Sequence, residues 1–142
     1  NCLYHNKNIN HRYLKNIKKL LKELGSVYVV KNEKLIDAVT AISGSGPAYF
    51  FLFFLVFESI AKEIGFNKEE ARNLIIDTAL GSLELVKHEV NIRALINSVK
   101  SKGGTTEAAL KVLEKNNKGL YNLMKSAINA ANKRAQQLSK VT

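Results

Sequence analysis

Apolar positions recur along this chain at helical spacing. From Asn10 to Leu24, the residues Leu14, Ile17, Leu21 and Leu24 fall three or four apart with lysines between them. That spacing predicts an amphipathic helix, closed by Gly25. SVYVV, Ser26 to Val30, is short, β-branched and bounded by Gly25 and the polar KNEK, and it is the one strand the pattern predicts. One strand makes no sheet, so its partners are expected to be missing from this chain or to come from another. The first 35 or so residues thus resemble the tail of an α/β unit, with a boundary near Lys31 to Lys34.

Beyond KNEK the pattern is helical throughout. Leu35 to Ile42 reads as a short helix, SGSGP punctuates, and Pro47 suits the first turn of the next helix, where its missing N–H would be unpaired anyway. That helix runs to about Ile64 and is stopped by Gly65. Its apolar run PAYFFLFFLVF, Pro47 to Phe57, is shorter than the roughly 20 residues a bilayer requires, and Glu58 and Lys62 follow. It predicts a helix buried on all sides. So small a domain cannot easily cover such a helix, which points to a second copy of the chain. Asn67 with Glu70 resembles a capping box opening a helix to about His88. There Ala71, Leu74, Ile75, Thr78, Ser82, Leu85 and Val86 mark one face and Ile76, Leu80 and Leu83 another. Asn91 to Val99 and Thr105 to about Asn116 read as further helices. Gly119 separates these from a last helix ending near Leu138, with a stripe of Leu120, Met124, Ala127, Ile128, Ala131, Ala135 and Leu138.

Composition narrows the function classes. At 142 residues, 46% hydrophobic and 24% charged, the chain suits one globular unit. The net charge of +10 admits a polyanionic partner. Eight Lys/Arg face two Glu between Asn1 and Lys34, whereas later lysines alternate with glutamates in KNEK, KEIGFNKEEAR and KVLEK. Solvated helix faces have that pattern, so neither a nucleic-acid nor a membrane partner is expected. Cys2 stands alone, and His5, His11 and His88 are scattered, so no metal site is expected. The first ten residues are polar and lack the apolar segment of a leader, which gives a cytoplasmic expectation.

SKGGTTEAAL, Ser101 to Leu110, carries the candidate chemistry. Glycines let a backbone approach a ligand closely, and the first N–H groups of a helix are unpaired and lie at the positive end of its dipole. Gly103, Gly104, Thr105 and Thr106 therefore suit a carboxylate or phosphate. A plain turn with a threonine N-cap accounts for the same residues, and spacing alone leaves both readings open. The loop lacks the lysine ending of a Walker loop. Gly44-Ser45-Gly46 is no dinucleotide fingerprint, because Pro47 follows it.

Read together, DAVTAISGSGPAYFF, about fifty residues of helix, VKSKGGTTEAALKVLE and a closing helix with AANKRAQQLS resemble the C-terminal part of pyrroline-5-carboxylate reductases. The resemblance implies a mainly α fold: residues 1–32 as the last helix and strand of a Rossmann-like domain, and residues 33–142 as a helical dimerisation and substrate-binding domain. It implies an oxidoreductase that reduces 1-pyrroline-5-carboxylate to L-proline. NAD(P)H would be held mainly by a domain absent from this chain, and the assembly would be a homodimer or an oligomer of dimers. It places Ser101, Gly103, Gly104, Thr105 and Thr106 at the substrate carboxylate, with the Thr106 hydroxyl against the ring nitrogen as the catalytic group. Glu33, Glu89 and Ser98 fall where the family lines the substrate site. Ser45, Gly46 and Pro47 fall beside the nicotinamide. Lys102 departs from the family's proline, and Lys100 from a small serine or threonine. The competing reading is a helical dimerisation or small-carboxylate binding module without catalysis.

Overall fold

The computed structural model describes residues 1–140. Two compact units make up the chain: Asn1–Pro47 together with the residues from Ser126 onward, and Ala48–Lys125.

The first unit opens with a strand that the polar character of the N-terminus concealed. β1 (Cys2–Leu3) pairs in parallel with β2 (Tyr28–Val29), in the register Cys2 to Tyr28 and Leu3 to Val29. The expectation of an unpartnered strand is thus corrected: residues only two positions long carry no periodic signal, yet the N–H groups of Tyr28 and Val30 bond the carbonyls of Asn1 and Leu3, both at 3.0 Å. Between the strands runs α1 (His11–Glu23), capped by the Asn10 side chain, which accepts from the Arg12 N–H at 2.8 Å. Gly25, at φ 121°, ends it in a conformation that disfavours residues with a Cβ. Leu14 anchors its inner face.

α2 (Lys34–Val39) does not end where SGSGP suggested. A π-helical turn, Thr40–Gly44, carries it into α3 (Gly46–Ile64), so that Lys34–Ile64 form one helical run of 31 residues. The cause lies in Pro47, whose ring would crowd the carbonyl four residues back in a regular helix. Widening the preceding turn, with the Ser45 N–H bonded to the Thr40 carbonyl at 2.8 Å, avoids that conflict. By length and composition this run, unlike Pro47 to Phe57 alone, is long and apolar enough to cross a membrane.

The second unit contains the rest of α3, α4 (Lys68–His88), α5 (Ile92–Ser98) and α6 (Thr105–Leu113), and the start of α7 (Leu120–Leu138). At Asn67 the expected capping box forms: its side chain accepts from Glu69 and Glu70 N–H groups at 3.0 Å, and Glu70 returns to the Asn67 N–H at 2.9 Å. Phe50, Phe53, Phe54 and Phe57 of α3 face Leu74, Ile75, Thr78, Ser82, Leu83 and Val86 of α4 across a groove of about 420 Å³. Leu83 joins this face; Leu85, expected on it, does not line the groove. The Thr78 and Ser82 hydroxyls donate to the carbonyls four residues back, both at 2.7 Å, which lets them sit on an apolar face without unmet polar groups.

Little of this apolar surface is covered within the chain. Among the described residues only Leu14, Ala41 and Ala71 are buried apolar side chains, while Phe51 is 68% and Leu55 59% exposed. A hydrophobic effect of about 25 cal/mol per Å² is thus left unused on α3 and α4, and exposed apolar surface of this kind marks an interaction face.

Candidate functional site

Ser101 to Glu107 form a loop and helix start held by three local restraints. The Gly104 N–H donates to the Ser101 carbonyl at 3.1 Å and closes a turn. Gly103 takes φ 73°, a left-handed conformation open to glycine at little expense. Its N–H donates to the Glu107 carboxylate at 2.8 Å. Arg93 of α5 forms an ion pair with Glu114 at the end of α6, which clamps the two helices flanking the loop.

Gly104, not a threonine, occupies the N-cap position of α6, in extended backbone and without a side-chain cap. Thr105 and Thr106 are the first and second helical residues, so the threonine N-cap reading fails. A Cβ at Gly104 would crowd the Ser101 hydroxyl and lie 3.2 Å from the Ser101 carbonyl oxygen. The Ser101 hydroxyl therefore stands at the mouth of the helix. Among the described residues, the N–H groups of Thr105, Thr106 and Glu107 find no acceptor, as expected of a helix's first turn. Donors gathered at the positive end of a helix suit an anion.

Glu107 is the residue that sequence reasoning missed. Its signal was present, because a glutamate three residues beyond an N-cap is half of a capping box; glycine at the cap position hid it. The Gly103 N–H, then the Lys111 ammonium at 3.6 Å, then Lys100 hold its carboxyl below the ordinary value of 4.5.

Other predicted residues have local partners. Glu89 caps the end of α4, and its carboxylate accepts from the Asn91 N–H at 2.8 Å. The Ser98 hydroxyl donates to the Leu95 carbonyl at 2.8 Å. In the first unit, Glu33 precedes α2 and is exposed. Ser45, Gly46 and Pro47 follow the π-helical turn, where Gly46 is buried. Among the described residues no three His, Cys, Asp or Glu side chains gather to hold a metal ion.

The sequence matches the family described as pyrroline-5-carboxylate reductase dimerisation over residues 33–138. The chain belongs to this family. It is 38% identical to the pyrroline-5-carboxylate reductase of Pseudomonas aeruginosa over 96% of the chain and 50% of that protein. To that of Aquifex aeolicus it is 36% identical, over 94% of the chain and 49% of the relative. The solved reductase of Coxiella burnetii superposes with a TM-score of 0.86 at 35% identity, covering 96% of this chain and 50% of that one. The Plasmodium falciparum pyrroline carboxylate reductase, solved with NADP bound, gives 0.83 at 31% identity, over 96% and 52%. The chain thus spans about half the length of the curated relatives it matches. A mainly α fold joined to a small parallel strand pair is what this family membership and these superpositions support.

Proposed function

We propose that this chain is the dimerisation and substrate-binding part of an enzyme that reduces 1-pyrroline-5-carboxylate to L-proline with NAD(P)H. The observation that carries the reading is the cluster of unpaired N–H groups of Thr105, Thr106 and Glu107 beside the Ser101 hydroxyl, in a chain of this family. The substrate carboxylate accepts from these donors. Its ring nitrogen then lies by the Thr106 hydroxyl, which donates or relays the proton needed as hydride reaches the adjacent carbon. Glu89 and Ser98 of the same unit complete the lining.

NAD(P)H supplies the hydride when bound. The segment after β1, Tyr4 to Asn10, contains no glycine, so this stretch offers no cradle for a pyrophosphate. Ser45, Gly46 and Pro47 are the residues that would meet the nicotinamide. The uncovered faces of α3 and α4 fit a homodimer, with larger oligomers built from dimers. The same cover accounts for the apolar run without a membrane or nucleic acid, and the compartment is the cytoplasm.

Kinetics on a protein joining this chain to a dinucleotide-binding unit test the reading. Thr106→Val lowers kcat by about 10- to 1000-fold, as for loss of one oriented donor. Ser101→Ala mainly raises KM, because the carboxylate is charged in ground and transition states alike. Unchanged kinetics in both variants would refute the placement of the substrate at this loop.

A further inference from the structure

We propose that Glu107 is the positioning residue of the substrate loop: its carboxylate holds Gly103 in the left-handed conformation that turns the Thr105 and Thr106 N–H groups outward. The proposal rests on the reading of this loop as the carboxylate site. Gly103 and Gly104 are adjacent and have wide backbone freedom, and Lys102 gives none of the stiffness of a proline. Within the loop, two bonds replace that stiffness. One is the turn from Gly104 to Ser101; the other is the Gly103 N–H to Glu107 bond at 2.8 Å.

A carboxylate at the third helical position would normally weaken an anion site by repulsion, since both charges seek the same donors. Here Glu107 takes a donor outside the helix, the Gly103 N–H, and leaves those of Thr105 and Thr106 free. Its charge is opposed by Lys111 at 3.6 Å and by Lys100, and Lys102 is a further cation in the loop. Two lysines acting on one carboxylate leave the neighbourhood positive. Of the two departures from the family pattern, Lys100 thus acquires a role as a counter-charge to the residue that orders the loop. Without Glu107, Gly103 samples other conformations, and apparent affinity falls with the fraction of competent loop.

Nuclear magnetic resonance on the full chain tests this with L-proline as the probe. The Gly103 amide proton should titrate on acidification with a midpoint below 4.5, the ordinary glutamate value, and Glu107→Gln should abolish that step. Glu107→Gln keeps an acceptor oxygen and should bind L-proline near the wild-type strength. Glu107→Ala should bind about 3- to 10-fold more weakly, as a competent fraction of roughly a third to a tenth implies. A Gly103 amide that ignores pH overturns the proposal, as does equal or tighter L-proline binding by Glu107→Ala, which would show Glu107 to be only a repulsive neighbour. Failure of the wild type to bind L-proline, with the Gly103 titration intact, overturns the substrate reading and this role with it.

Discussion

Replacing Gly119 by alanine probes the tightest backbone approach in the second unit. Gly119 is buried between α6 and α7, and a Cβ there would lie 2.5 Å from the Leu113 carbonyl oxygen, 2.6 Å from that of Lys115 and 2.9 Å from the Lys115 nitrogen. All three are backbone atoms, so no side chain can swing aside. Restoring ordinary separations requires a shift of about 0.8 Å. The Gly119 carbonyl also accepts from the Asn122 and Leu123 N–H groups at 3.1 and 3.3 Å, so movement of Gly119 strains the start of α7. Overpacking of this kind costs about 1–3 kcal/mol, and loss of one helix-start bond about 1 kcal/mol more. At about 3–5 °C per kcal/mol for a chain of this size, Gly119→Ala should lower the melting temperature by roughly 6–20 °C. Gly25→Ala separates conformation from crowding: Gly25 has φ 121° and nothing within 4 Å of a Cβ, so only the left-handed penalty of about 1–2 kcal/mol applies. A Gly119→Ala protein that melts within 2 °C of wild type, by circular dichroism and at equal protein concentration, would refute the crowding argument.

Phe53→Glu places a charge in the α3–α4 groove, where Phe53 stacks on Phe57 with ring centroids 4.6 Å apart; sedimentation should show the dimer dissociation constant rising at least about 30-fold, and an unchanged dimer would locate the interface elsewhere. At the end of α4, Lys87 and then His88 hold the Glu84 carboxyl below its ordinary 4.5. A depressed carboxylate stabilises above its unfolded value and ceases to do so as pH falls through the lowered one. Amide exchange at Leu85–His88 should therefore quicken below about pH 4.5 relative to the helix middle, and Glu84→Gln should remove that dependence.

The helices were legible because each carries its own punctuation. Asn10, Asn67 and Gly65 mark ends by side-chain capping or by a left-handed backbone, and those signals are local in sequence. β1 was not legible, since Cys2 and Leu3 become a strand only by pairing with residues 26 positions away. The π-helical turn escaped for another reason: serines, glycines and Pro47 look like a break, and only the helical segments on either side turn them into a widened continuation. At the loop, the glycines and threonines announced a donor cluster, but spacing could not separate a threonine cap from an anion cradle. Helix α6 beginning one residue earlier than a threonine cap requires, with Gly104 at the N-cap position, decided against the cap.

The site and the stability of this chain draw on different ranges of contact. Every restraint on the loop lies within Arg93 to Glu114: a turn, a carboxylate on a glycine N–H and one ion pair. Those are polar bonds between groups near in sequence, individually worth about 1 kcal/mol or less when exposed, and they fix geometry more than they supply stability. The apolar faces of α3 and α4 hold the larger free energy, and the chain alone leaves most of that surface open. A second copy covering those faces would stabilise the helices without altering the restraints that set the donor directions. A second copy would then decide whether the helices persist, while the bonds from Arg93 to Glu114 set the direction of the N–H groups at the start of α6.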